Sequence, residues 1–87
     1  MDTMEVLQEI FRDVFDEEEM EIYADMSASD HEEWDSLTQI QIVVATEKKF
    51  SIRFTTAEVM GLKNVGEFAA LIDTKRDRKD NYEQLLL

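Results

Sequence analysis

The segment from Ser36 to Phe50 constrains the fold more than any other stretch, because it is apolar on more than one side of a helix. Asp35 is a favourable N-cap, so the helix is predicted to begin at Ser36. One face at helical spacing contains Ile42, Val43, Thr46 and Phe50, and a second stripe beside Ser36 contains Leu37, Ile40 and Val44. The first face suits a core. The second fits either a covered central helix or an exposed docking surface, and the spacing leaves both interpretations open.

Three further helices are predicted around this one. The first has an apolar face that contains Leu7, Ile10, Phe11, Val14 and Phe15. Thr55 and Glu58 form a capping box for a short helix that Gly61 is placed to end. The last helix is predicted to begin with Asn64 and Glu67, and it carries the apolar residues Val65, Phe68, Ala69, Leu71 and Ile72.

The connections between these helices are unequal in length. Residues 16–35 show no sustained period, which predicts a long loop that Met20, Ile22 and Met26 could pin to the core. Residues 51–54 alternate apolar and polar, but so short an isolated run favours a linker over a strand. The predicted fold is therefore an all-α, small four-helix bundle, with three longer helices, one short helix and a long loop between helices 1 and 2.

The domain is expected to span residues 1–75, followed by a charged C-terminal tail over residues 76–87. The alternative is a helical extension that lays Tyr82, Leu85 and Leu86 against the bundle or another molecule.

Charge and composition limit the classes of partner that this chain can bind and the kinds of site that it can form. Twenty-one acidic residues against nine basic ones give a net charge of −12 in 87 residues, so nucleic acid and anionic membranes should be repelled and basic protein surfaces attracted. The sequence contains no cysteine and one histidine, which excludes a disulfide framework and a thiolate metal site. It contains neither a signal peptide nor a membrane-spanning stretch, so we expect a cytoplasmic monomer.

The sequence does not match the catalytic and metal-binding motifs that it superficially suggests. A calcium loop starting at Asp25 would have Asp30 where a glycine is needed and Ser36 where a glutamate is needed. His31 could be written into a triad with Ser36, but no glycine-flanked elbow or sheet is predicted to hold one, and His31 is expected to be an exposed loop residue. Two glycines cannot build a phosphate-binding loop. We therefore predict that the chain is not an enzyme.

The Ser36 hydroxyl fits a different role. It is predicted to lie at the first helical position, beside unpaired backbone N–H groups. A phosphate ester on that oxygen would lie at the positive end of the helix dipole. Because no partner that would make the hydroxyl a nucleophile is visible, we interpret Ser36 as an attachment point.

These features together resemble the acyl carrier protein family. Asp35-Ser36-Leu37 follows a first helix and a long loop, and it precedes an apolar helix that ends in Glu47-Lys48-Lys49-Phe50. The resemblance covers roughly residues 4–72. It implies a discrete carrier with 4′-phosphopantetheine attached covalently to Ser36 by a transferase that uses magnesium, and acyl groups carried as thioesters on that arm. Asp35 and Leu37 would be the flanking residues of the motif.

The same resemblance implies a face that meets partner enzymes. Its members would be Leu37, Ile40, Gln41, Val44, Glu47 and Lys48. The expected partners are a phosphopantetheinyl transferase and acyl-transferring and condensing enzymes with basic surfaces. Fatty-acid carriers are commonly acidic at the positions of Gln41, Lys48 and Lys49, and they usually have Gly-Ala where this chain has Glu33-Trp34. These departures favour a specialised fatty-acid or polyketide-like pathway.

Two alternatives remain at this stage. The chain could be a peptidyl or aminoacyl carrier, or an acidic helical interaction module that is never modified. Trp34 likewise has two interpretations, as an anchor of the loop on the bundle or as a contact for partners beside Ser36.

Overall fold

The computed structural model describes the backbone of residues 2–86 and the side chains of residues 2–77. Its helices are α1 (Thr3–Phe15), α2 (Ser36–Phe50), α3 (Thr56–Met60) and α4 (Val65–Leu86), with one short 3-10 helix at Ala28–Asp30. Over residues 2–86 there is no strand. The predicted all-α fold, with three longer helices, one short helix and a long loop between α1 and α2, is therefore confirmed.

Side chains just before each helix fix where it begins. The Asp2 carboxylate accepts a hydrogen bond from the Met4 N–H at the start of α1. Thr55 and Glu58 form the predicted capping box at the start of α3. The Asn64 side chain accepts a hydrogen bond of 2.8 Å from the Glu67 N–H in the first turn of α4. Each of these bonds satisfies a backbone donor that a helix N-terminus otherwise leaves unpaired.

The core lies where α1 packs against α2 and α4. Its largest fully buried side chains are Leu7 and Phe11 from α1, Ile42 and Thr46 from α2, and Val65 and Ile72 from α4. Thr46 is satisfied within its own helix, because its hydroxyl donates to the Ile42 carbonyl at 2.7 Å. The first face predicted for α2 is therefore the core face.

The long loop of residues 16–35 is pinned at several points. Met20 and Met26 are buried, as predicted, and Ile22 packs partly against the core. Two side chains of α1 also bind loop backbone: Arg12 Nε donates to the Met20 carbonyl at 2.7 Å, and Gln8 Oε1 accepts from the Ile22 N–H at 3.1 Å. A loop held in this way can position residues at its far end.

The N-terminus of α4 also holds the loop. The Val65 N–H donates to the Met26 carbonyl at 2.9 Å, and the Gly66 N–H donates to the Ala24 carbonyl at 2.8 Å. A Cβ at position 66 would lie 3.1 Å from that Ala24 oxygen. A side chain at this position would crowd the loop backbone, which approaches the helix closely.

α4 continues to Leu86, so residues 76–86 of the segment expected as a charged tail or a helical extension have a helical backbone. The proposed packing of Tyr82, Leu85 and Leu86 lies outside the described side chains. Near the middle of α4, Thr3 donates to the Asp73 carboxylate and accepts from Arg76 at 3.0 Å, which ties this helix to the start of α1.

His31 differs from its prediction. It was expected to be an exposed loop residue, but its ring packs on Phe15 with 4.9 Å between centroids, and its Nδ1 is buried without a hydrogen-bond partner. Its Nε2 lies 3.9 Å from a Glu17 carboxylate oxygen. The reason is that the pinned loop folds back over the end of α1, which sequence spacing alone does not indicate.

None of the helices in the described part of the chain is both long enough and apolar enough to cross a membrane.

Candidate functional site

Ser36 is exposed at the first position of α2. Asp35 is the N-cap, and its Oδ1 accepts hydrogen bonds of 3.0 Å from the N–H groups of both Leu37 and Thr38. The next N–H, that of Gln39, donates to the Asp35 carbonyl at 2.9 Å. Within residues 2–77, the Ser36 N–H and hydroxyl make no hydrogen bond, so both face solvent at the positive end of the helix.

Thr38 holds the turn that precedes Ser36. Its hydroxyl accepts a hydrogen bond of 2.9 Å from the Asp35 N–H, which completes the capping box, and it donates to the Glu33 carbonyl at 2.9 Å. The backbone around Ser36 is therefore fixed by side chains on both sides of it. This geometry leaves the Ser36 oxygen accessible while the chain that carries it is rigid.

The pKa of the Asp35 carboxyl is lowered from its ordinary value of 3.8. The main cause is the hydrogen bond from the Thr38 N–H, and the hydrogen bond from the Leu37 N–H also lowers the pKa. A lowered folded-state pKa means that the charged cap stabilises the fold above the unfolded-state pKa and that this contribution is lost as the pH falls through the folded-state value.

We therefore expect Asp35→Asn to lower the melting temperature at neutral pH and to have a shrinking effect as the pH falls below about 4. Asparagine keeps a capping oxygen but no charge, so the comparison isolates the carboxylate from the other acidic groups that titrate in the same range. Thermal melts of both proteins across this pH range provide the measurement. A difference in melting temperature that stays constant with pH would contradict the assignment.

The second stripe of α2 is exposed rather than covered. Leu37 is 63% exposed, Ile40 59% and Val44 42%. These values decide between the two interpretations that the sequence left open, since a core stripe would be nearly inaccessible. Three large apolar side chains thus form a continuous exposed strip that begins one residue after Ser36.

The other residues predicted for the partner face are placed unequally. Gln41 and Lys48 are exposed on α2. Glu47 is half-buried, and its Oε2 accepts a hydrogen bond of 2.9 Å from the Phe54 N–H in the linker. Glu47 therefore has a structural role that its sequence position did not reveal.

A cleft of about 300 Å³ opens beside Ser36. One side consists of Trp34, Asp35, Ser36 and Gln39, together with Ala28 of the 3-10 helix. The opposite side comes from α3, the turn that follows it and α4, and consists of Val59, Leu62, Lys63, Asn64 and Phe68. Most of the lining is apolar, so the cleft suits an apolar group attached near Ser36.

Trp34 is half-buried and acts as an anchor in the way that the first interpretation predicted. Its ring meets the fully buried Phe11 edge to face, with centroids 5.2 Å apart. Its Nε1 donates to Gln39 Oε1 at 2.6 Å, which links the loop to α2. The indole also lines the cleft beside Ser36, so the anchor contributes a wall of the candidate site.

Charge is divided unevenly around Ser36. Ten of the 21 acidic residues lie in positions 16–35, a segment without lysine or arginine, and α2 itself carries one glutamate and two lysines. The negative potential near Ser36 therefore comes from the loop, while the exposed strip of α2 is apolar with a basic end at Lys48 and Lys49. A basic surface would be attracted to the loop side of the site.

Among the described residues, no group of three or more histidine, cysteine, aspartate or glutamate side chains could hold a metal ion. The structure places Ser36 at the first position of α2, between the N-cap Asp35 and Leu37, and it identifies residues lining the cleft that the sequence did not. Gln39 and the pair Leu62-Lys63 line the cleft from opposite sides, but they are far from each other in sequence and belong to no motif. Only the spacing of Gln39 from Ser36, three residues along one helix face, could have suggested that these two lie together.

Known proteins resemble this chain over most of its length. A family model described as phosphopantetheine attachment site matches residues 5–72. The acyl carrier protein of Acidothermus cellulolyticus is 36% identical over 61 residues, which are 70% of this chain and 73% of that protein. The meromycolate extension acyl carrier protein of Mycobacterium tuberculosis is 30% identical over 80 residues, which are 92% of this chain and 70% of that protein.

A similar solved structure agrees with these relatives. The NMR structure of a holo acyl carrier protein from Geobacter metallireducens matches 93% of this chain and 93% of that chain, with a TM-score of 0.85 and 40% sequence identity. The order of the helices is thus that of a carrier domain.

Proposed function

This chain belongs to the family of phosphopantetheine-binding acyl carrier proteins, and from that premise we propose that Ser36 is the residue that receives the 4′-phosphopantetheine group. The protein carries acyl groups on this prosthetic group, and the family acts as a carrier rather than as a catalyst. The observation that supports Ser36 is its exposed hydroxyl at the first residue of α2, at the rim of a mainly apolar cleft.

The residues around Ser36 fit such a group. When bound, it supplies a flexible arm whose thiol holds acyl groups as thioesters. The Ser36 oxygen is open to a modifying enzyme, and the free N–H beside it and the positive helix end favour the negative charge of a phosphodiester. Asp35 and Thr38 hold this turn in place, so the attachment point does not have to be ordered when an enzyme binds.

The cleft is proposed to shelter the acyl group. Val59, Leu62 and Phe68 supply apolar surface opposite Ser36, and burying an acyl chain against them removes apolar area from water. Lys63 and Asn64 supply the polar part of that side. Since the cleft is open to solvent, a group held there can leave it when a partner enzyme binds.

Enzymes that handle acyl groups and the transferase are the partners of this family, and we propose that they meet the strip of Leu37, Ile40 and Val44. Gln41, Glu47 and Lys48 border this strip on α2 and complete the proposed face. The apolar side chains supply contact area, while the acidic loop before Ser36 steers enzymes with basic surfaces. The lysines at the far end of α2 favour a partner with an acidic patch at that end.

Replacing Val44 by arginine is expected to slow loading by the transferase about tenfold or more, because a charge would have to be desolvated in the contact. The melting temperature should change little, since Val44 is already 42% exposed. Intact-mass time courses and thermal melts measure the two effects. Ala70→Arg, at an exposed position on α4, is the matched control for the added charge. Equal loading rates for both variants would argue against the proposed face.

The attachment is tested by incubating the protein with a broad-specificity phosphopantetheinyl transferase, coenzyme A and magnesium. We expect the intact mass to increase by one phosphopantetheine group. Because the chain has no lysine or arginine between Arg12 and Lys48, trypsin yields a fragment of residues 13–48 that holds three of the four serines, and fragmentation must place the group on Ser36. A protein that stays unmodified while a control carrier is loaded would favour the unmodified interaction module.

The pathway is proposed to be a specialised fatty-acid or polyketide-like one. Gln41, Lys48 and Lys49 give α2 a less acidic surface than fatty-acid carriers commonly have, and Trp34 fills the position beside the motif where a small residue is usual. One of the relatives is a meromycolate extension acyl carrier protein.

A further inference from the structure

Trp34 and Gln39 together form the wall of the cleft nearest to Ser36. Trp34 precedes Ser36 by two residues and Gln39 follows it by three, and the 2.6 Å hydrogen bond from Trp34 Nε1 to Gln39 Oε1 joins them. Both side chains are half-buried, and both line the cleft. The wall is therefore built from the two sides of the proposed attachment point.

This wall is held from behind. The indole packs edge to face on Phe11, which is inaccessible to solvent, with 5.2 Å between the ring centroids. The backbone N–H of Trp34 donates to the His31 carbonyl at 3.1 Å. Gln39 lies on α2, and its own N–H donates to the Asp35 carbonyl. Displacing the indole would break the bond to Gln39 and the contact with Phe11 together.

From this geometry we propose that the Trp34–Gln39 pair sets the size of the acyl group that the cleft shelters. The inference rests on the proposed attachment at Ser36. A short acyl group fits in the space of about 300 Å³ between the indole and the opposite side made by Val59, Leu62 and Phe68. A chain too long for that space would press against the indole or extend through the open side of the cleft, so its thioester is left nearer to solvent.

The experiment loads the whole protein with butyryl, octanoyl or dodecanoyl phosphopantetheine from the corresponding coenzyme A esters, and intact mass confirms each product. The rate of thioester cleavage by hydroxylamine then measures shelter, and the emission of Trp34, the sole tryptophan, reports contact between the indole and the acyl chain. In the unaltered protein we expect the butyryl thioester to be cleaved about fivefold more slowly than the dodecanoyl thioester. A fivefold ratio of rates corresponds to a free-energy difference about as large as the net contribution of one ordinary hydrogen bond.

Trp34→Leu removes the bulk of the wall and keeps an apolar side chain against Phe11. We expect this variant to protect the octanoyl and dodecanoyl thioesters better than the unaltered protein does. Gln39→Ala should shift the preference in the same direction by a smaller factor, because it frees the indole without removing it. Glu9→Ala is the matched control, since Glu9 is an exposed polar residue of α1 that lies outside both the cleft and the proposed partner face.

The outcomes separate this inference from the proposed function. If Ser36 is not loaded, intact mass reveals that failure before any acyl measurement, and both proposals fall. If loading is normal but Trp34→Leu and Gln39→Ala keep the length dependence of the unaltered protein, the size-setting role is overturned while the attachment site stands. Should Trp34→Leu not fold, as judged by circular dichroism, the comparison of Gln39→Ala with Glu9→Ala decides the question alone.

Discussion

Replacing Ser36 by alanine is expected to abolish phosphopantetheine attachment and leave the fold intact. The loss should be complete, because alanine has no oxygen to form the ester. The fold should be unaffected, because the Ser36 side chain is exposed and its hydroxyl makes no hydrogen bond within residues 2–77. Alanine is also a favourable residue in a helix. Intact mass after incubation with the transferase, together with a thermal melt, measures both effects.

Ser29→Ala is the matched control for this variant. Ser29 is also exposed, it lies in the 3-10 helix of the neighbouring loop, and its hydroxyl is 2.8 Å from that of Ser27. This control should load as fast as the unaltered protein. Loading that persists in Ser36→Ala would move the attachment site to another hydroxyl, and loading that is lost in both variants would indicate damage to the fold of the loop.

The bounds of α2 could be predicted because local chemistry determines them. Asp35 caps the helix at one end, and the apolar spacing continues to Phe50 at the other. The same reasoning placed Ile42, Thr46 and Phe50 in the core. It could not decide whether Leu37, Ile40 and Val44 are covered, because α2 is apolar on two sides and the answer depends on where α1 and α4 pack.

The loop between α1 and α2 shows where local reasoning ends. Its buried methionines could be predicted from their apolar side chains, but its path depends on the hydrogen bonds that Arg12 and Gln8 of α1 make with loop backbone, Arg12 as donor and Gln8 as acceptor. These bonds join residues that are eight and fourteen positions apart, and no periodic pattern marks them. The packing of His31 on Phe15 and the cleft beside Ser36 both follow from this path, so neither could be derived from the sequence.

Residues 76–87 fit either a charged tail or a helical extension, and the sequence alone does not choose between them. The segment after Asp73 is rich in charged residues and lacks a continuous apolar face. Lysine, arginine and glutamate are nevertheless good helix formers, and a helix that is already packed through Val65, Phe68 and Ile72 can continue without a core of its own.

Phe11→Ala is expected to cause the largest loss of stability, about 3–5 kcal/mol, because it leaves a cavity at the centre of the bundle. Phe11 is inaccessible to solvent and contacts both Phe15 and Trp34. Small domains have total stabilities of about 5–15 kcal/mol, so this change removes a large part of the whole. Urea unfolding followed by far-UV circular dichroism measures the loss.

Phe54→Ala is the control for the Phe11→Ala prediction. Phe54 is half-buried in the linker and packs on Phe68, with 5.3 Å between the ring centroids. Its truncation therefore removes less buried apolar surface than that of Phe11 and leaves a space that solvent can fill. Its cost should be clearly smaller than that of Phe11→Ala. Because Phe11 also supports the indole of Trp34, its loss should shift tryptophan emission even where the protein remains folded. Equal costs for the two variants would mean that Phe11 does not hold the centre of the core, and the wall beside Ser36 would then lack the rigid support on which size selection depends.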